Sequence, residues 1–246
     1  MRIVVYTAIF GGYDDLIPQP KFEGVDFICF TDRPIQSDIW DVRVVPGFED
    51  DTTRSSRMHK LLPHQFLSEY DLSIFIDGNY IITKDIRTLI QKELGNHLML
   101  TFDHNQSQDA WNCVYEELDV LLKLGESTGY YKDDPQLMKD QINGYEAEGY
   151  PRDNGLIFSA CLIRKHNDPK VIQVMEDWWH EVRTKSKRDQ LSFNYVAWKN
   201  NFRFKVLEGD LRNHEYLLML AKHEQNFKKK YWKYRFKKIF GLRPKR

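Results

Sequence analysis

Leu72-Ser73-Ile74-Phe75-Ile76-Asp77-Gly78-Asn79 is the stretch on which the reading of this chain turns. Five apolar or small residues in succession, without polar alternation, predict a short strand buried on both faces, as at the centre of a parallel sheet. The run then delivers an acid, a glycine and an amide at the strand's carboxyl end, where open α/β sheets bind their ligands. Three readings stay open at this point. The triplet is a strand-ending turn, since Asp, Gly and Asn are the usual turn residues. It is a phosphatase site, with Asp77 as nucleophile after a strand. Or it is a donor-side loop, in which Gly78 admits a ligand and Asp77 and Asn79 offer oxygens to a hard divalent cation.

Similar strands appear on both sides. Residues 2–6, 25–30, 40–45, 98–102, 156–164 and 202–207 read as strands. Residues 57–70 read as a helix that Pro63 bends or restarts, and 85–94 as a short helix capped by Asp85. Residues 169–183 carry Val171, Val174, Met175 and Trp178 at spacings of three and four, and 189–199 read as a further helix. Strands alternating with helices predict an α/β fold with a mainly parallel sheet covered on both faces. Two helical stretches, 109–123 and 135–148, read as an insertion spanning about 106–148. The expected organisation is one domain over 1–221 followed by a basic aromatic tail over 222–246.

Composition narrows the class. The chain has 246 residues, 41% hydrophobic and 14% aromatic, which suits one globular α/β unit with an aromatic-rich core. No apolar run reaches the roughly 18–20 residues that span a bilayer, and the N-terminus turns polar too soon for a signal peptide. Cys29, Cys113 and Cys161 are widely spaced and odd in number, which suits reduced core thiols rather than a disulfide framework. The formal net charge of zero conceals a segregation: 11 of the 36 Lys+Arg but one of the 36 Asp+Glu lie in 222–246, leaving 25 basic and 35 acidic residues in 1–221. No HExxH, G-x-S-x-G or P-loop spacing occurs, so a zinc hydrolase, an α/β-hydrolase and a P-loop NTPase lack support.

Other polar clusters also fall at strand ends: 7–13, Thr31-Asp32 and Asp103-His104. Arg54, Arg57 and Lys60 follow at i, i+3 spacing and share one helical face, suited to a diphosphate or, equally, to solvent and neighbouring acids. Asp189, in Arg188-Asp189-Gln190, reads as an N-cap or first-turn acid. A carboxylate there is also placed to act as general base on a sugar hydroxyl.

Taken in order, Tyr6-Thr7-Ala8-Ile9-Phe10-Gly11-Gly12-Tyr13-Asp14, Phe27-Ile28-Cys29-Phe30-Thr31-Asp32, Arg54-x-x-Arg57-x-x-Lys60-x-x-Pro63-His64, the Tyr70–Asn79 stretch and Arg188-Asp189-Gln190 resemble a domain-of-unknown-function family of putative hexosyltransferases from bacteria and plant mucilage-related proteins. The resemblance covers most of residues 1–205. It implies a GT-A-like, Rossmann-type fold and transfer of a hexose from a nucleotide-diphosphate sugar to a glycan or lipid-linked glycan, in surface polysaccharide synthesis. Thr7, Ala8, Tyr13, Asp32, Arg54, Arg57, Lys60, Asp77, Gly78 and Asn79 are the implied donor-binding residues. Asp77-Gly78-Asn79 stands where such enzymes carry Asp-x-Asp. That position implies Mn²⁺ or Mg²⁺ held by Asp77 and Asn79, with His214 completing the site, although Asn79 supplies no charge. Asp189 is the implied base, and Asp103, His104, Asn154 and Gln190 are implied on the acceptor or sugar side. The competing classes are a hydrolase using Asp77 and a non-catalytic carbohydrate-binding module.

The tail interleaves aromatics with cations from Phe227 to Phe240. This suits an anionic membrane surface, with Trp and Tyr at the headgroups and Lys outside, or a disordered solubilising tail. The acidic body argues against nucleic acid. The expected location is cytoplasmic, peripheral at the inner face of the membrane.

Overall fold

The computed structural model describes residues 1–109, 111–220 and 227–240. In chain order the elements are β1 (Ile3–Ile9), β2 (Val25–Thr31), β3 (Asp41–Val44), α1 (Thr52–Leu61), α2 (Pro63–Phe66), β4 (Leu72–Ile76), β5 (Tyr80–Ile82), α3 (Ile86–Glu93) and β6 (Met99–Asp103). They continue with α4 (Val114–Thr128), α5 (Pro135–Ala147), β7 (Ile157–Arg164), α6 (Pro169–Thr184), α7 (Phe193–Lys199), β8 (Lys205–Leu207), β9 (Leu217–Met219) and α8 (Lys228–Ile239). Seven strands form one sheet in the order β3-β2-β1-β4-β7-β6-β8, and β5 and β9 pair separately. β4 is central and buried along its whole length, as its unbroken apolar run predicted.

Both faces of the sheet are covered because its strands alternate between two hydrophobic clusters. Val4, Tyr6 and Phe75 pack with Trp178, Val174 and Val171 of α6. Ile3, Val5 and Ile74 pack on the other side with Ile86, Leu89 and Ile90 of α3. The three cysteines are buried and unpaired with one another.

β7 is the one reversed strand in this order. It runs antiparallel to both β4 and β6, while β1, β2, β3 and β4 are mutually parallel and β8 is parallel to β6. The start of β7 therefore lies beside the carboxyl end of β4. The Asp77 amide donates to the Ala160 carbonyl at 2.9 Å.

Three helix starts differ from expectation. α1 begins at Thr52, five residues before the predicted start, because Asp51 caps it by accepting from the Arg54 amide at 2.9 Å. Pro63 then occupies the first turn of α2 and restarts the helix rather than bending it. Asp189 opens a single 3₁₀ turn, Asp189–Leu191, and not the helix itself. Its side chain caps nothing, and α7 starts only at Phe193. The insertion carries its two helices as α4 and α5, with α4 starting later than expected. The 221/222 boundary of the expected tail lies outside the described residues. From Phe227 onward the tail packs on the body: Phe227 is buried with Ile17 and Ile81, and Tyr231 and Tyr234 lie against that cluster.

Candidate active site

A cavity of about 330 Å³ opens at the carboxyl ends of β1 and β4. β1 and its following turn supply Ala8, Ile9, Phe10, Tyr13 and Asp14, and β4 leads into Asp77 and Gly78. α1 supplies Thr52, Thr53, Ser56, Arg57 and Lys60. The reversed β7 adds Phe158, Ser159 and Ala160, the 187–190 segment adds its four residues, and Tyr130 and Lys132 reach in from the α4–α5 connection.

Local backbone geometry explains two of these edges. Gly11 and Gly12 adopt φ of 62° and 64°, a left-handed region in which a side chain is strained. A Cβ on Gly12 would also fall 2.5 Å from the Arg33 guanidinium. The turn is held by Asp32, which accepts from the Gly11 amide at 2.8 Å. Gly78 is closely packed: a Cβ there would approach Ile9 at 3.1 Å and Asp14 at 3.3 Å.

At the floor lies an ionic cluster. The Lys60 ammonium meets Asp189 Oδ2 at 2.5 Å and Ser159 Oγ at 3.1 Å. Ser159 Oγ is 3.0 Å from the same Asp189 oxygen, and Arg57 Nε lies 3.2 Å from Oδ1. Lys60 and Asp189 are each only 1% exposed. The Asp189 carbonyl accepts from Trp178 Nε1 at 2.9 Å, which fixes the backbone of the 3₁₀ turn. Lys60 is fixed from behind: its carbonyl accepts from the Tyr6 hydroxyl at 2.7 Å and from the fully buried Arg164 at 2.8 Å.

Burial pushes the Asp189 carboxyl up, but the charges of Arg57 and Lys60, the Lys60 hydrogen bond and Arg188 overcome it. The net result holds Asp189 well below the usual carboxylate range. Burial also pulls the Lys60 ammonium down, against the opposing pull of Asp189 and Asp77. A carboxylate stabilised to this degree is a weak proton acceptor, because a general base works best with a pKa near the working pH. The geometry pairs the expected base with two cations.

The other expected residues divide. Ala8, Tyr13, Arg57, Lys60, Asp77, Gly78, Asp189 and Gln190 come together around the cavity. Arg54 does not: it pairs with Asp51 at 2.7 Å and donates to the Val182 and Lys185 carbonyls at the end of α6. The shared i, i+3 face is therefore split, since α1 lies between the cavity and α6. Thr7 and Asn79 are buried outside the lining, and Asp32 holds its turn instead of facing the cavity. Asp103 caps a one-turn helix through the Asn105 amide, and burial raises its carboxyl. His104 is buried between Trp111 and Phe158, and burial lowers its pKa. Asn154 donates to the Tyr150 hydroxyl at 3.3 Å. None of these three lines the cavity.

His214 packs against Phe102, with centroids 4.9 Å apart, and burial lowers its pKa. It does not line the cavity with Asp77. Among the described residues no three His, Cys, Asp or Glu side chains are grouped to hold a metal ion. Of the expected set Asp77, Asn79 and His214, Asp77 alone lines the cavity.

Five polar contributors from β7, the 187–188 segment and the insertion were not foreseen as site residues. Ser159 follows from the reversal of β7. Lys187 and Arg188 follow from the 3₁₀ turn, and the position of Arg188 beside Asp189 was the one signal for it. Tyr130 and Lys132 follow from the insertion. There the Tyr131 ring lies over Gly125, and Asp133 Oδ2 accepts from Ser186 Oγ at 2.7 Å and the Lys187 amide at 2.8 Å.

A family model described as TOD1/MUCI70, glycosyltransferase-like domain, matches residues 29–223. "Probable hexosyltransferase MUCI70" of Arabidopsis thaliana is 26% identical over 221 residues, which cover 79% of this chain and 37% of that protein. The chain thus spans well under half the length of this relative. Among solved structures, the apo form of the bifunctional glycosyltransferase WbbM is similar over 83% of this chain and 38% of its own, at 11% identity and a TM-score of 0.48. A glycosyltransferase involved in glycosylation of the major capsid of PBCV-1 is similar over 94% of this chain and 98% of its own, at 9% identity and a TM-score of 0.48.

Proposed function

The chain belongs to the TOD1/MUCI70 glycosyltransferase-like family, and from that premise we propose that it transfers a hexose from a nucleotide-diphosphate sugar bound in the cavity at the ends of β1 and β4. One observation carries the reading: five cations, Arg57, Lys60, Lys132, Lys187 and Arg188, line a cavity that holds three acids, Asp14, Asp77 and Asp189. The volume is that of a small-molecule site. Arg57, Lys187 and Arg188 receive the diphosphate, and the guanidinium groups match its oxygens as two-pronged donors. They offset the charge that develops on the diphosphate as the bond to the anomeric carbon breaks. Asp189 keeps Arg57 and Lys60 in place before the donor arrives, so little reorganisation is needed at the moment of transfer. The acceptor, a glycan or lipid-linked glycan, approaches past Gln190 and the Tyr13–Tyr130 rim.

A thermal-shift panel of nucleoside diphosphates, with inorganic phosphate as control and Mn²⁺ present or absent, tests this reading. Stabilisation by one nucleoside diphosphate above phosphate is expected. Release of phosphate from a generic aryl phosphate, without nucleotide preference and abolished by Asp77→Asn, would instead identify a phosphatase.

A further inference from the structure

We infer that α8 is an amphipathic anchor that keeps one face on the domain and lays the other on an anionic lipid surface. The two groups of aromatic residues in this segment belong to two faces. Phe227, Tyr231 and Tyr234, at i, i+4 and i+7, pack with Ile17, Ile81 and Leu218 of the body. Trp232, Phe236 and Ile239 of the helix, with Phe240 just past its end, fall at i, i+4, i+7 and i+8 and form a second stripe. They are 65%, 58%, 72% and 61% exposed. The Phe236 and Phe240 rings contact each other at 4.5 Å, so the stripe is continuous.

The flanking charge selects the occupant. Lys229, Lys233 and Arg235 are exposed on and beside this stripe, and residues 228–239 contain no acid. An apolar arc bordered by cations, with a tryptophan among its bulky residues, matches the acyl–headgroup boundary of an anionic bilayer. A second protein would be expected to meet such a stripe with acids around an apolar groove. The strongly acidic body argues against a nucleic-acid partner on the same chain.

The attachment is also directional. Gln19, buried beside the α8 contact, donates to the Tyr80 carbonyl at 2.9 Å and accepts from the Ile82 amide at 2.9 Å. This ties residues 17–19 to β5, the strand that directly follows Asp77-Gly78-Asn79. A helix docked there orients the cavity relative to the surface that it binds. The inference does not depend on the transferase reading, because its test measures binding alone.

The test is flotation of the full chain with vesicles of phosphatidylcholine, with or without phosphatidylglycerol. Binding to the anionic vesicles alone, weakened by added salt, is expected. The variant combining Trp232→Ser, Phe236→Ser and Phe240→Ser should lose roughly tenfold or more in partitioning, with an unchanged unfolding midpoint because these side chains are exposed. Lys229→Gln with Lys233→Gln should weaken binding to anionic vesicles and leave the nucleotide-dependent thermal shift intact. Unaltered flotation of the serine variant would overturn the inference. So would tighter binding to an oligonucleotide than to the anionic vesicles, or no vesicle binding at all.

Discussion

Asp189 shows how a residue's surroundings bear on its chemistry. Its position at the start of a turn suits a base, but Lys60 and Arg57 occupy its two oxygens. Asp189→Asn should therefore destabilise the fold by about 3–5 kcal/mol, the usual effect of removing one partner from a buried ion pair. It should also weaken nucleotide affinity, which a bystander acid would not do. Urea denaturation and nucleotide titration check the two effects. Because the folded-state pKa of Asp189 is depressed, its contribution is complete above the unfolded value of about 3.9 and is lost as pH falls through the folded value. The wild-type minus Asp189→Asn difference should stay flat from neutral to mildly acid pH and shrink only in strong acid. Arg57 lines the cavity with its side chain 19% exposed. Arg57→Ala should cost about 1.5–3 kcal/mol of nucleoside-diphosphate affinity, the range for a charge-assisted hydrogen bond, measured by calorimetry.

Among the elements, the α4–α5 connection is the part of the site with the least sheet support. It is held by Tyr131 lying over Gly125 and by Asp133 bonded to Ser186 and Lys187. A Cβ on Gly125 would fall 2.1 Å from the Tyr131 ring, so Gly125→Ala must expel that ring. The replacement gains about 1 kcal/mol of helix propensity in α4, so global stability should change little. The loop carrying Tyr130 and Lys132 should loosen. Hydrogen exchange of residues 129–134 should rise and the KM for the donor should increase; unchanged exchange would show that Tyr131 does not hold the loop. The reversal of β7 acts at the same scale, because it brings Ser159 to Asp189 and Lys60 from the start of the strand instead of its end.

For the whole molecule, buried histidines should contribute to the response to mild acid. His59, His104, His166 and His214 all have pKa values lowered, chiefly by burial. The unfolded chain therefore binds more protons below about pH 6.5. Stability should be complete above that pH and fall as pH decreases toward the folded values. The urea midpoint followed from pH 8 to pH 5, with a constant m-value, checks this; a flat profile would show that these rings bind protons equally in the folded and unfolded chain. Among the described residues no helix is long and apolar enough to cross a membrane.

Much of this was legible in the order of residues. The unbroken run at Leu72–Ile76, the alternation of strands and helices, and the acid at a strand end report local physics: period, propensity and turn chemistry. They were enough for an α/β fold and for Asp77 at a strand end, beside the cavity that Arg57 and Lys60 line from a helix. Strand direction was not legible, because an apolar strand looks the same in either sense, and that direction alone carries Ser159 into the site. Nor was the fate of Arg54 or His214, which meet Val182, Lys185 and Phe102 more than a hundred residues away in the chain. Sequence determined which side chains carry charge and which segments must be buried. Tertiary structure decided which charges face one another, and so made Asp189 an anchor for cations, because a pKa depends on the distances between groups that only folding brings together.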